Sequence, residues 1–278
     1  ESGNEFLPGA FADNLTSYGG IMTDGAPQTP LTDFIAAGAA GASGTVIEPL
    51  SIPLKFPDAM LHVHYARGCT LAEAFYQSVA APFQLLLVGD PLCQPWAVPP
   101  VFEVAGVDEG QTVSEGVELT FSADADGPEL SRYELFVDGV LRAATPPDRS
   151  LSFDSRQLSD GYHELRLVAV DNTPIATRQF QRIGIHVDNA GHDVQLEIEG
   201  PGTYQLGRTL LINVAANCGE SVEIIQNSRR VGTIQGREGQ LRIDCAQLGQ
   251  GPTTLQAVVK LDDQRQVASA PVDLEITP

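Results

Sequence analysis

The sequence has 278 residues, of which 42% are hydrophobic and 19% are charged, with 27 glycines and 19 prolines. This length corresponds to two or three domains, and the composition excludes a coiled coil, a collagen and a disordered chain. No segment approaches 18 consecutive apolar residues, so we expect no membrane insertion. The formal net charge of −20 disfavours nucleic acid and anionic lipid as partners, because both require positive charge on the protein.

The N-terminal third begins with a mixture of helical and apolar patterns. Residues 31–40 are rich in alanine and predict a helix, which Thr29 or Thr32 would cap and the glycines of 41–44 would end. The short apolar run 45–48 follows and predicts a buried strand.

Two further helices and a strand follow a proline-rich stretch. Helices are predicted over 57–67 and 71–79, and Thr70 with Glu73 forms a capping-box pattern at the start of the second. The apolar run 84–88 predicts another buried strand. Helices that alternate with all-apolar strands predict an α/β block with a largely parallel sheet of two or three strands.

The pattern changes after a proline-rich linker at 94–102. Apolar and polar residues now alternate in short runs, with turn signals such as Asp138-Gly139 and Asp160-Gly161 between them. Such a pattern predicts an antiparallel β-sandwich. The predicted strands are 117–123, 133–137, 151–154, 163–170 and 181–187.

The last third repeats this pattern with a period of 90 residues. The segment 153–171 (FDSRQLSDGYHELRLVAVD) is echoed by 243–262 (IDCAQLGQGPTTLQAVVKLD). A repeat of this length predicts two tandem sandwiches. The equivalent pairs are Asp154 and Asp244, Leu158 and Leu248, and Gly161 and Gly251. The predicted domains are therefore an α/β block at 1–97 and sandwiches at 98–190 and 191–278.

Four cysteines are divided equally between the two halves of the chain. No CxxC occurs, and no cysteine or histidine spacing fits a zinc site. We consider the pairs Cys69–Cys93 and Cys218–Cys245, which would fit an oxidising compartment, against the alternative of four buried thiols. The sequence begins at Glu1 without a methionine or a signal-peptide pattern, so we expect a processed or excised piece of a longer protein.

The two sandwiches resemble bacterial immunoglobulin-like domains. The resemblance is carried by YELFVDG at 133–139 and by DGYHELRLVAVDN at 160–172. It implies modules that space, stiffen or adhere, and it implies no particular activity.

The first block resembles the C-terminal part of the caspase-like fold of gingipain-type peptidases and related secreted bacterial proteins of unknown function. The motifs are FLPGAFADNLTSYGG, GAAGASGTVIEPLSIPLKFPD, YARGCTLAEAFYQSV and LLLVGDPLCQPW. That family uses a His–Cys dyad, but the equivalent segment 11–20 contains no cysteine, and Asp13 stands where the nucleophile would be. The histidine would precede Glu1, so no catalytic residue is carried over and the enzyme question stays open.

Other candidate catalytic groups have a plain structural alternative. Thr16 and Ser17 offer hydroxyl nucleophiles beside two glycines, and such a nucleophile needs a base. His62 and His64 lie two residues apart in a helical pattern, so they face different directions. We therefore favour a structural role for all four residues.

One acidic loop is a candidate cation site. Asp124, Asp126 and Glu129 could hold Ca²⁺, which prefers six to eight oxygen ligands. The alternative is an ordinary Asp-Gly turn, and the full twelve-residue calcium loop is absent. Calcium is the only cofactor that the sequence brings into consideration.

Three functional hypotheses follow. The first is a non-catalytic structural or interaction portion of a secreted or cell-surface bacterial protein. The second is the C-terminal chain of a processed caspase-like peptidase whose dyad lies upstream. The third is a self-assembling module that pairs through open sheet edges. The expected partner is another protein, the missing N-terminal half or a second copy, and the expected location is extracellular, at the cell surface or periplasmic.

Overall fold

The structure, a computed structural model, describes residues 5–23, 28–262 and 265–278. The chain divides into two compact units. The first comprises Glu1–Pro99 together with the short segment Asn172–Thr177, and the second comprises Pro100–Asp171 and Arg178–Pro278. Over the described ranges, no helix is long and apolar enough to cross a bilayer.

The first unit contains a three-stranded sheet in the order β1-β2-β3. Strand β1 runs parallel to β2, whereas β3 runs antiparallel to it. The expectation of a largely parallel sheet is therefore wrong, because one of the two pairings is antiparallel. The elements are β1 (Phe11–Asp13), α1 (Leu31–Ala36), β2 (Gly41–Thr45), α2 (Met60–Ala66), α3 (Leu71–Gln77) and β3 (Leu85–Gly89), with single 3₁₀ turns at Pro53–Lys55 and Pro82–Gln84.

Strand β2 lies in the glycine-rich segment where the end of a helix was predicted. All five of its residues (GASGT) are buried. A Cβ atom on Gly44 would lie 2.6 Å from the backbone of Gly19, and one on Gly41 would lie 2.3 Å from the Leu71 side chain. Small residues are needed here because neighbouring elements approach closely. The strand predicted at 45–48 therefore lies four residues earlier, at Gly41–Thr45.

The helices are shorter than predicted. Helix α1 begins after Pro30 without a side-chain cap, so the proposed threonine caps are wrong, and it ends before Gly38, whose φ is +99°. Helix α2 begins at Met60, whose N–H donates to the Asp58 carboxylate at 2.8 Å.

The predicted capping box of α3 is confirmed. The Glu73 N–H donates to the Thr70 hydroxyl at 3.2 Å, and the Thr70 N–H donates to the Glu73 carboxylate at 2.9 Å. Two N–H groups that have no partner within the helix are thereby satisfied.

The second unit contains two β-sandwiches, and the first has sheets of five and three strands. Their orders are β5-β11-β10-β7-β8 and β4-β6-β9, and β5 runs parallel to β11. The strands are β4 (Phe102–Ala105), β5 (Gln111–Val113), β6 (Gly116–Ala123), β7 (Leu130–Val137), β8 (Val140–Thr145), β9 (Leu151–Asp154), β10 (Gly161–Asp171) and β11 (Arg178–Val187).

The second sandwich has the same strand order. Its sheets are β13-β20-β18-β15-β16, with β19 also on β18, and β12-β14-β17, and β13 runs parallel to β20. Its elements are β12 (Val194–Ile198), β13 (Thr203–Gln205), β14 (Thr209–Ala216), β15 (Ser221–Gln226), β16 (Arg229–Gln235), β17 (Glu238–Asp244), α4 (Cys245–Leu248), β18 (Gly251–Lys260), β19 (Gln266–Ala268) and β20 (Val272–Thr277).

Both sandwiches are immunoglobulin-like, with Greek-key connections and the chain crossing between the two sheets after its first strand. Each has its own apolar core, formed where inward-facing residues of the two sheets meet. This part of the predicted fold is confirmed. Fully buried members of the first core include Leu119, Leu135, Leu165 and Leu167, and those of the second include Leu210, Ile212, Ile224 and Leu255.

The 90-residue repeat has matching local geometry. Asp154 accepts the Arg156 N–H at 3.1 Å, and Asp244 accepts the Ala246 N–H at 2.9 Å, so both carboxylates cap the same corner. The long strands β10 and β18 both begin at a glycine in the left-handed region, with φ of +101° at Gly161 and +109° at Gly251.

The structure contains no disulfide between the four cysteines, and strand register separates one of the two candidate pairs. Cys218 follows β14 and Cys245 follows β17, and these strands pair antiparallel with Thr209 opposite Asp244. The two thiols therefore lie at opposite ends of an eight-residue strand, about 25 Å apart, whereas a disulfide needs Cα atoms within about 7 Å.

Cys69 and Cys93 are near each other but bond to other groups. The Tyr65 hydroxyl donates to the Cys93 sulfur at 3.3 Å, and the Gln77 amide donates to the Cys69 sulfur at 3.7 Å. Burial raises the pKa of the Cys218 and Cys245 thiols. The side chains are packed as thiols in the structure, and the Cys69–Cys93 disulfide stays a prediction.

We predict that the protein unfolded in guanidinium without a reductant takes up four alkyl groups from iodoacetamide. Intact-mass measurement counts the groups, and prior reduction should leave that count unchanged. Two adducts without reductant and four with it would show that one disulfide exists.

Candidate functional site

The ends of β1 and β2 bring a carboxylate and a hydroxyl together. The Ser43 hydroxyl donates to the Asp13 carboxylate, and Ser43 is fully buried. Burial raises the pKa of Asp13, although hydrogen bonds from Ser43 and the Asn14 N–H and the charge of His62 act in the opposite direction. At the position where the caspase-like resemblance expects a nucleophile, the chain thus has a carboxylate bound to a buried serine.

Three of the hydroxyl and histidine candidates, namely Thr16, Ser17 and His64, lie in different surroundings. The Thr16 hydroxyl accepts the Gly19 N–H at 3.1 Å, and Ser17 lines a cavity of about 570 Å³ with Leu15 and Leu50. His64 lines a different cavity of about 480 Å³. Within the described ranges, these residues therefore serve a turn and two separate surfaces.

The acidic loop predicted to hold Ca²⁺ forms a turn. Asp124 accepts the Asp126 N–H on its side chain at 3.0 Å and the Gly127 N–H on its carbonyl at 3.1 Å. No group of three or more His, Cys, Asp or Glu side chains is placed to hold a metal among the residues that the structure describes. Calcium binding by Asp124, Asp126 and Glu129 stays a prediction.

A cleft of about 970 Å³ lies in the second unit, where the two sandwiches meet. Residues of both sandwiches line it, and polar side chains predominate. We call it the inter-sandwich cleft. Its lining includes Glu109, Asp138, Arg142, Gln157, Tyr162, His163, Glu164 and Arg182 from the first sandwich and Asn227, Thr254, Gln256, Gln266 and Asp273 from the second.

A histidine on the cleft wall is held on both ring nitrogens. Nδ1 of His163 lies 2.6 Å from an Asp138 carboxylate oxygen, and Nε2 lies 2.8 Å from the Ser159 carbonyl oxygen. Both partners can accept hydrogen bonds, so the doubly protonated imidazolium satisfies both contacts at once. Burial alone would lower the pKa of His163, but the Asp138 contact outweighs burial and raises it. Both ring nitrogens are thus engaged in contacts within the first sandwich.

Several side chains that line the cleft make no polar contact with the rest of the described chain. Arg142, Gln157, Asn227 and Gln266 are exposed, and their side chains make no hydrogen bond or ion pair within the described residues. The cleft could not be predicted from local sequence patterns because its walls come from two different domains. The one signal in the sequence was the divergence of the repeat at His163, where the second sandwich has Thr253.

No protein-family model and no curated protein matches the chain. Among solved structures, the fibronectin(III)-like modules of Clostridium thermocellum CbhA are 13% identical, with a TM-score of 0.28, and the match covers 63% of this chain and 93% of that one.

Two further structures are similar over about the same share of the chain. A chimeric titin Z1Z2-Z1Z2 tandem is 11% identical with a TM-score of 0.34, covering 65% of this chain and all of that one. The Bacteroides ovatus protein SGBP-B, in complex with a mixed-linkage heptasaccharide, is 14% identical with a TM-score of 0.34, covering 65% and 46%. At these scores, no property is transferred, and the caspase-like resemblance of residues 1–97 finds no support and stays a prediction.

The His163–Asp138 pair predicts a pH-dependent stability of β10. Because the folded-state pKa of His163 is raised, its contribution is complete below the ordinary pKa of about 6.5 and is lost as pH rises through the higher folded value. We expect Asp138→Asn to remove about 1 kcal/mol of local protection at pH 6, and less above the folded pKa.

Hydrogen exchange of peptides from β10 measures this protection, and comparing variants at one pH removes the intrinsic pH dependence of exchange. Asp148→Asn, an exposed loop position, is the control. A constant difference between Asp138→Asn and the wild type across the pH range would contradict the assignment.

Proposed function

We propose that this chain is a non-catalytic structural and interaction protein that acts outside the cell. The two immunoglobulin-like sandwiches serve as a spacer, and the first unit binds a partner through the free edge of its sheet. One observation carries the interaction role, namely the unprotected edge of β3. The extracellular location is supported only by the class to which the sandwiches belong.

Alternate backbone groups of β3 point away from the sheet. The Val46 N–H donates to the Gln84 carbonyl at 3.0 Å, and the Asp90 N–H donates to the Ala40 carbonyl at 2.9 Å. These two bonds fix residues 84 and 90 as facing β2. Because hydrogen-bonding groups alternate along an antiparallel strand, residues 86 and 88 face β2 as well. The N–H and C=O groups of Leu85, Leu87 and Gly89 therefore face outward.

This edge lacks the features that usually prevent strands from pairing between molecules. Strand β3 (LLLVG) contains no charge and no proline, whereas the edge strands β8 and β16 of the sandwiches carry arginines. Phe83 and Leu92 flank β3 and are 94% and 75% exposed. An uncharged edge flanked by exposed apolar side chains favours pairing with another strand.

We identify the partner as a second copy of this chain. Strand β3 is self-complementary in the antiparallel direction, because a two-fold axis at Leu87 would pair Leu85 with Gly89 of the second copy. All three outward residues would then exchange hydrogen bonds, and the two sheets would join into one of six strands. A strand from a different protein is the other outcome that the experiment can reveal.

We predict that the full chain is a dimer in light scattering coupled to size exclusion and that Leu87→Pro weakens the dimer at least about tenfold. Proline removes the outward N–H and leaves the bonds to β2 in place. Leu87→Ala removes the same side-chain packing but keeps the N–H, so it should remain dimeric.

Circular dichroism must show that both variants are folded. A wild-type monomer at several hundred micromolar would contradict self-pairing. If the wild type is monomeric but binds extended peptides through β3, as judged by loss of binding in Leu87→Pro, the partner is a different protein.

A further inference from the structure

A buried carboxylate holds the segment that joins the two sandwiches. Asp160 lies at the corner before β10, and its side chain is 2% exposed. It accepts the backbone N–H groups of Asn189 at 2.6 Å, Ala190 at 3.1 Å and His192 at 2.8 Å. The His192 ring lies 3.5 Å from the same carboxylate. One side chain of the first sandwich thus binds three of the four N–H donors of residues 189–192.

Both sandwiches contribute further bonds to this connection, residues 188–193. The Asn189 amide donates to the carbonyls of Ser155 at 3.0 Å and Leu158 at 3.1 Å in the first sandwich. Asn217 of the second sandwich donates to the Gly191 carbonyl at 2.7 Å and accepts the Asp193 N–H at 2.8 Å. A connection held from both sides has little freedom to bend.

The sandwiches also touch directly beside Asp160. A Cβ atom on Gly161 would lie 2.7 Å from the Ala268 carbonyl oxygen and 2.9 Å from the Ala268 nitrogen, in β19 of the second sandwich. Strand β10 therefore approaches the backbone of β19 so closely that a methyl group does not fit. Contact of this kind fixes both distance and angle.

The internal repeat supplies a natural comparison. The residues equivalent to Asp160 and Gly161 are Gln250 and Gly251, at the same corner of the second sandwich. Gln250 is exposed, and a Cβ atom on Gly251 would meet nothing within 4 Å, although its φ of +109° resembles the +101° of Gly161. The buried acid and the close contact thus occur only at the corner that faces the other sandwich.

We propose that Asp160 is a positioning residue that locks the two sandwiches in one orientation and thereby preforms the inter-sandwich cleft. Tandem domains with small interfaces usually move relative to each other, so a lock of this kind is a specific device. The inference is linked to the proposed function in one respect, because two sandwiches locked in one orientation form a spacer of fixed geometry.

The electrostatics agree with this geometry. Burial alone would raise the pKa of Asp160, but hydrogen bonds from His192, Asn189 and Ala190 and the charge of His192 outweigh burial and lower it. The ionised carboxylate is therefore the form that the connection stabilises, and an amide in its place would lose this charge-assisted bonding.

The lock can be tested by measuring the distance between two spin labels on the full chain. The labels are attached to ketone-bearing residues that replace Thr120 in β6 and Arg242 in β17, both of which are exposed. Pulsed dipolar spectroscopy measures the distance between the labels, with unlabelled protein in excess to dilute contacts between copies. The wild type should give one narrow distribution. Asp160→Asn should broaden it about two-fold, and Gln250→Ala should leave it unchanged.

A second pair of variants separates contact from backbone strain. Gly161→Ala and Gly251→Ala suffer the same strain at positive φ, but only the first collides with β19. We expect Gly161→Ala to displace or broaden the distance distribution and Gly251→Ala to keep it.

If both Asp160→Asn and Gly161→Ala give a distance distribution as narrow as that of the wild type and with the same mean, the lock is refuted, even if the melting temperature falls. If the wild-type distribution is already broad, the lock is refuted as well. Light scattering reports separately on pairing through β3, so a monomer with a narrow distribution leaves the lock intact and removes only self-assembly.

Discussion

Hydrogen bonds from backbone N–H groups to carboxylates organise the corners of this protein. Asp58 accepts the N–H of Met60 at the start of α2. Asp154 and Asp244 accept N–H groups at the equivalent corners of the two sandwiches, and Asp160 accepts N–H groups of the connection between them. Such bonds are charge-assisted and use donors that strands and helices leave unpaired at their ends. The net charge of −20 therefore does more than solvate the surface, since part of it is built into turns that the fold requires.

The two sandwiches share a topology but differ in the chemistry of one corner. In the first, ionisable groups occupy it, with Asp160 binding the connection and His163 in contact with Asp138. In the second, the buried amide of Gln226 donates to the Leu248 carbonyl and the Thr253 hydroxyl, both at 2.7 Å. The Arg229 guanidinium donates to the Gln226 side-chain oxygen, so every partner in this network belongs to the second sandwich. At the first corner, by contrast, the N–H donors that Asp160 accepts come from the connection that leads to the following domain.

How far the sequence could predict this structure depended on the range of the interactions. Period-two alternation and the Thr70–Glu73 box are local, and both predictions held because each residue pattern contains its own partner. Strand β2 was misplaced because its glycines are needed where distant elements approach too closely for a side chain, and no local sequence pattern shows this. The Cys218–Cys245 pair failed for the same reason, since strand register placed the thiols at opposite ends of β14 and β17. The cleft and the lock lie still further from prediction, because they need the relation between two domains.

The two units treat unpaired backbone in opposite ways. In the second unit, the connection between the sandwiches has its donors bound by Asp160, which removes conformational freedom from the folded chain. In the first unit, the outward groups of β3 have no hydrogen-bond partner among the residues that the structure describes, so a matching strand can gain hydrogen bonds without deforming the sheet. Association through β3 is favoured by such a pre-formed edge, because the strand has already lost the entropy that a flexible segment would lose on binding. A locked spacer offers the same advantage, since a partner that contacts both sandwiches meets a cleft whose walls are already in position.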